Sequence, residues 1–160
     1  RAAEQDHASA QCNLGFMYEQ GQGVPRKYSA AIKWYRRAAE QGDTPSQCKL
    51  ALMYQEGRGV PQNDTAARER YEKAAAAGQA QAMANLGIMH ENGQGMTRNI
   101  VKAREYFEQA LAAGEKRSCK DLERIDALIA AETEERGGGA AVSNSSRPQK
   151  ANKKKGRKEK

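Results

Sequence analysis

Small and apolar residues in this chain fall at helical spacing, in two stripes separated by a glycine-rich break. Ala10, Leu14, Gly15 and Tyr18 stand at i, i+4, i+5 and i+8, one side of a 3.6-residue helix. Gly21 and Gly23 then stop that helix and make a tight turn, and Pro25 cannot extend it. A second stripe, Ala31, Trp34 and Tyr35, predicts a second helix that ends near Gly42. The same pattern then returns at an offset of 36 residues: Leu14-Gly15-Phe16-Met17-Tyr18 lies over Leu50-Ala51-Leu52-Met53-Tyr54 and Leu86-Gly87-Ile88-Met89-His90. Gly21-Gln22-Gly23-Val24 lies over Gly57-Arg58-Gly59-Val60 and Gly93-Gln94-Gly95-Met96, and Tyr35 over Tyr71 and Phe107. A fixed period of this length marks a solenoid, in which each unit buries its apolar face only by stacking on its neighbours.

The predicted fold is all-α, a right-handed α/α superhelical solenoid of three 36-residue helix-turn-helix repeats with a C-terminal capping helix. The units run from about 2 to 37, 38 to 73 and 74 to 109, and the cap lies within 110–136. The second helices start near Lys27, Asn63 and Asn99, of which the asparagines are good N-caps and Lys27 a poor one. Gly15, Ala51 and Gly87 are small because two helices joined by a tight turn come close only where a side chain is nearly absent, and Tyr35 and its counterparts can cover that point. Arg70, where the other units have Trp34 and Tyr106, should face partly outward. After the third unit Glu123 and Asp126 replace the packing glycine and tyrosine, while Leu122, Ile125 and Ile129 keep one apolar face. That is the pattern of a cap, expected from about Lys116 to Glu135. Arg1-Ala2-Ala3-Glu4-Gln5-Asp6 matches Arg37 to Gly42, so the chain is expected to open at the end of a second helix, as a fragment with further repeats upstream.

Charge alters this picture mainly at one end. Of the formal +7, all belongs to the stretch after Arg136, where eight Lys and Arg face a single acid, Glu159, so the repeat region is formally neutral. A basic nucleic-acid groove across the repeats is therefore not implied by the overall charge. Residues 137–160 lack aromatics and combine Ser, Asn, Gly, Pro and Lys, a composition expected to remain disordered. No apolar run approaches the ~18 residues of a membrane span.

The motif Ala-x3-Leu-Gly-x2-Tyr-x2-Gly-x-Gly-Val-x6-Ala-x2-Trp-Tyr-x2-Ala-Ala resembles the Sel-one-like repeat, a relative of the tetratricopeptide repeat, over about residues 1 to 130. The resemblance implies a non-catalytic adaptor, of a family with members in endoplasmic-reticulum degradation, cell-wall regulation and bacterial signalling. Lys27 and Asn63 at a usually acidic position, His90 for tyrosine and Arg70 for an aromatic depart from the pattern. In related superhelices the first helix of each unit lines the concave groove. That makes Asn13, Lys49 and Asn85, with Gln20, Glu56 and Asn92 two turns further on, the candidate partner-binding row. An asparagine at the equivalent point often holds ligand backbone in the tetratricopeptide relatives, which carries over to Asn13 and Asn85. Three helices spaced by ~10 Å would span an extended peptide of about six residues.

Other chemistry is thinner. Cys12 and Cys48 share one repeat position, so their Cα atoms should lie near 10 Å apart, past the ~7 Å limit for a disulfide, and with Cys119 they are expected to be free, largely buried thiols. His7 and His90 belong to no metal-spaced cluster, and His90 sits where a tyrosine packs. Gly21-x-Gly23 lacks the third glycine and preceding strand of a phosphate loop. No cofactor and no catalytic residue is expected. Lys153, Lys154, Lys155, Arg157 and Lys158 could address the chain to an import receptor or to nucleic acid through phosphate contacts, and the last four residues weakly resemble a dibasic retrieval signal. The expectation is a monomeric scaffold, intracellular or, through its basic tail, nuclear, that binds a protein or peptide; the alternative is a nucleic-acid-associated protein acting through its tail.

Overall fold

The computed structural model describes residues 2–138, with side chains from His7 to Gly137, as seven helices and no strand among the described residues. They are α1 (Ala2–Gln20), α2 (Tyr28–Glu40), α3 (Thr44–Glu56), α4 (Asp64–Ala76), α5 (Ala80–Asn92), α6 (Ile100–Ala112) and α7 (Ser118–Gly138). Each helix packs on the ones before and after it in the chain, most closely within the pairs α1–α2, α3–α4 and α5–α6. That nearest-neighbour order is the all-α solenoid the 36-residue period predicts.

Local chemistry explains the repeat. Gly57 and Gly93 end α3 and α5 at φ 68° and 70°, left-handed backbone that only glycine adopts at little cost. The second glycine of the turn serves a different purpose. A Cβ on Gly59 would stand 2.7 Å from Cβ of Tyr28, and one on Gly95 2.8 Å from the backbone of Asp64. The turn thus lies directly on the start of the preceding repeat's second helix, a contact between repeats rather than within one. The loop is then closed by one recurring backbone bond: Lys27, Asn63 and Asn99 donate to the carbonyls of Tyr18, Tyr54 and His90 at 2.9, 2.8 and 2.8 Å. Asn63 and Asn99 also cap α4 and α6, accepting from Ala66 and Lys102 at 2.9 Å, whereas Lys27 makes no side-chain cap.

Tyr35, Tyr71 and Phe107 are fully buried at the heart of each unit. A Cβ on Gly15 would meet the Tyr35 ring at 2.8 Å, and one on Gly87 the Phe107 ring at 2.7 Å, so the missing side chains are filled by aromatic rings. Between units, Leu50 and Met53 pack with Ile32 and Tyr35, and Leu86 and Met89 with Ala67 and Tyr71. On α1 the equivalent Ala10 and Met17 are exposed and Leu14 is half-buried, since no helix precedes α1 among the described residues to cover them. Trp34, Arg70 and Tyr106 are all half-buried, so the outward tilt expected of Arg70 belongs to the position in every unit.

Three expectations are corrected. The break expected after Asp6 is absent: α1 runs unbroken from Ala2 to Gln20, because Asp6 stands where Gly42, Gly78 and Gly114 supply the positive φ that ends the other second helices. Cys119 is exposed, on the solvent side of α7, unlike the buried Cys48 and half-buried Cys12. The cap begins at Ser118 and extends to Gly138, its Ile125 wholly buried against Ile100, Ala103 and Phe107. The tail residues Lys153, Lys154, Lys155, Arg157 and Lys158 lie outside the described residues.

Candidate functional site

Helices α1, α3 and α5 run side by side, and a shallow groove of about 370 Å³ crosses them. Asn13, Lys49 and Asn85 line it together, one from each helix. Cys12, Phe16, Cys48 and Leu52 supply an apolar floor, and Gln79 and Gln81 a polar edge. Phe16 is 39% exposed, a large apolar ring facing solvent beside the polar row. Gln81 donates to the Asn85 side-chain oxygen at 3.4 Å, and the Asn85 side chain also faces the Tyr71 hydroxyl. Gln20, Glu56 and Asn92 are not part of this groove. They sit at the C-terminal ends of their helices, exposed, with Glu56 ion-paired to Arg58 at 2.7 Å.

Beneath the groove lies a residue the periodicity did not single out. Glu19 is buried, 5% exposed, and its Oε2 accepts the Tyr35 hydroxyl at 2.6 Å and meets Lys49 Nζ at 3.4 Å. The Lys49 ammonium also stands over the Phe16 ring, 5.3 Å from its centre. Burial, then the hydrogen bond to Glu19, pushes the Tyr35 hydroxyl well above its ordinary range, so it stays a donor. Lys49 is thereby fixed at the groove floor by an anion and an aromatic face together. The sequence held a clue in the recurrence of Glu19, Gln55 and Glu91 at one repeat position. In the second unit Gln55 accepts the Tyr71 hydroxyl at 3.2 Å and donates to Gln94 at 3.3 Å.

Cys12 and Cys48 border the groove as free thiols. Burial raises both, Cys48 to about 12, which keeps them protonated and poorly nucleophilic. The groove presents side-chain amides, one fixed cation and an apolar floor. Among the described residues no helix is long and apolar enough to cross a membrane.

The fold defines an α/α repeat protein. The Sel1 repeat model matches residues 8–43, 44–79 and 80–115, three consecutive units that cover most of the chain. The chain belongs to the Sel1 repeat family, whose members generally mediate protein–protein interaction and are typically non-catalytic. The matched units begin six residues later than the frame set by Ala2, Ala38 and Ala74, with the same period. Among solved structures, a Sel1 repeat protein from Oxalobacter formigenes is similar at 33% identity and a TM-score of 0.69, over 74% of this chain and 47% of that one. The protein c5321, a protective antigen present in uropathogenic Escherichia coli strains and displaying an SLR fold, is similar at 37% identity and a TM-score of 0.70, over 76% of this chain and 26% of that one. Cysteine rich protein B of Helicobacter pylori shares the fold at 22% identity and a TM-score of 0.60, over 73% of this chain and 90% of that one. This chain thus spans less than half the length of the first two. Comparison with curated protein sequences gives no match.

Proposed function

We propose that this protein is a non-catalytic scaffold whose concave groove holds an extended segment of a partner protein. The observation that supports the reading is the convergence of Asn13, Lys49 and Asn85 on one groove floored by Phe16 and Leu52. Side-chain amides both donate to and accept from an extended backbone, and the apolar floor can take one or two side chains of the ligand. Lys49 adds a cation for a carboxylate of the partner. Gln20, Glu56 and Asn92, exposed at the helix ends, would extend the contact along the array only for a longer partner.

Calorimetry against a partner captured by the full chain tests this. Replacing Asn13, Lys49 and Asn85 by Ala together should weaken binding by about 2 to 4 kcal/mol, at ~1 kcal/mol per hydrogen bond. Because Lys49 is also bonded to buried Glu19, the Asn13→Ala/Asn85→Ala pair separates recognition from folding. Wild-type affinity in that pair would move partner binding off the groove.

The concentration of charge after Arg136 favours a second reading, nucleic-acid or import-receptor binding through the tail. Changing Lys153, Lys154, Lys155, Arg157 and Lys158 to Ala should then abolish salt-sensitive RNA or DNA binding. Retained affinity with the same salt slope would place that binding in the repeats.

A further inference from the structure

The outer face of the array carries a second concavity, of about 460 Å³, on α2 alone, walled by Trp34, Lys33, Arg36, Arg37 and Glu40. Three cations here face one carboxylate. The Arg37 guanidinium lies over the indole of Trp34, 5.2 Å from the ring centre, and Arg36 donates to the Tyr54 hydroxyl at 3.1 Å, so two of the cations are held in place by aromatic partners. The repeat supplies its own control. At the positions of Lys33, Arg36 and Arg37 the second unit has Glu69, Glu72 and Lys73, and the third has Glu105, Glu108 and Gln109. This face is therefore basic on α2, balanced on α4, where Arg70 and Lys73 offset Glu69 and Glu72, and weakly acidic on α6. Packing cannot require the basic set, since the positions of Lys33 and Arg36 carry glutamate in both later units.

We propose that this outer face of α2 is a separate binding site for a short acidic peptide segment. Carboxylates of such a segment meet the Arg36 and Arg37 forks and the Lys33 ammonium, and its side-chain methylenes lie along the Trp34 ring. The site is confined to one repeat, because a longer acidic ligand would run onto Glu69 and Glu72. That same limit disfavours a nucleic-acid strand, whose phosphates would continue along the face, and the Arg37 guanidinium already covers the indole face on which a base would stack. The inference stands independently of the concave groove.

Trp34 is the only tryptophan in the chain, so its emission reports this site directly. The test titrates hexaglutamate into the full chain carrying Ala at Arg147, Lys150, Lys153, Lys154, Lys155, Arg157, Lys158 and Lys160, which removes the tail as a competing cation. A saturable change in Trp34 emission is expected, exceeding that of sodium chloride at equal ionic strength. Lys33→Glu/Arg36→Glu/Arg37→Gln, which installs the residues of the third repeat, should weaken it by about 10-fold or more, and Arg37→Gln alone by about 3-fold, from the usual strength of exposed charge pairs. The single substitution keeps the test decisive if the triple variant melts early. An emission change that matches the salt control, that survives Arg37→Gln undiminished, or that is outdone by a six-nucleotide single-stranded DNA overturns the proposal.

Discussion

The first and third repeats place a glutamate at the same point and use it in opposite ways. Glu19 is buried under the groove, bonded to the Tyr35 hydroxyl and to Lys49 of the next repeat. Glu91 has lost its hydroxyl partner, because Phe107 replaces tyrosine, and turns to Arg124 of the cap, which grips both its oxygens at 2.9 and 2.7 Å. Arg124 remains 48% exposed and keeps Asp121 as a second partner at 2.8 Å. One repeat position thus fixes a groove cation in the first unit and ties down the capping helix in the third. The partners that the later helices offer decide which, since a carboxylate with little exposure must find donors, and Glu91 is itself only 13% exposed.

The largest test of this comparison asks whether the two units share a core even though their polar contacts differ. Gly15→Leu and Gly87→Leu should each destabilise by more than about 2 kcal/mol, since both drive a side chain into an aromatic ring, with Gln22→Leu on the exposed turn much milder. Denaturant midpoints measure this, and equal midpoints for Gly15→Leu and Gln22→Leu would refute the close-packing role. Next, Glu19→Ala should cost about 1 to 3 kcal/mol by leaving the Tyr35 hydroxyl buried without an acceptor. Glu91→Ala should cost less, since its partner Arg124 is 48% exposed and keeps Asp121, although Glu91 itself is only 13% exposed. Equal losses would mean that burial does not distinguish the two glutamates. Glu19→Gln, copying Gln55, should recover most of the difference.

A smaller effect is expected at His90, which stacks on Tyr106 at 5.3 Å between ring centres, with its Nδ1 buried and unpartnered. Burial, with Lys102 adding to it, lowers its pKa from the ordinary 6.5. The folded state then binds fewer protons than the unfolded state below that value. The contribution is complete above pH 6.5 and is lost as pH falls toward the folded-state pKa. His90→Tyr, the residue of the first two repeats, should flatten the fall in melting temperature between neutral and mildly acidic pH; an unchanged slope would assign the dependence to other groups. The smallest change is expected on deleting residues 139–160, whose composition offers little apolar surface for burial. The melting temperature should stay the same, and a shift of several degrees would show that the tail docks.

The repeat length, the alternation of helices and the aromatic that fills each glycine were legible because they follow from spacing: a residue 36 positions on meets the same neighbours. Asn13, Lys49 and Asn85 converge on one groove for the same reason, while Gln20, Glu56 and Asn92 share their period and still lie outside it. Other features were hidden because they depend on contacts between different units. The second glycine of each turn looked like part of the turn, yet its smallness is imposed by Tyr28 or Asp64 of the repeat before. The missing break at Asp6 follows from one side chain that no longer favours positive φ, and a periodic match that tolerates one mismatch passes over it. The amino-acid sequence by itself determined the period, the alternation of helices and the aromatic core, all local or strictly repeated. Only the tertiary structure decided that Glu19 would be buried beneath Lys49, that Glu91 would hold the cap, and that Arg36 would bond the Tyr54 hydroxyl. Those outcomes depend on which side chain the neighbouring helix brings within hydrogen-bonding or stacking distance, and that is a property of the stack rather than of any one repeat.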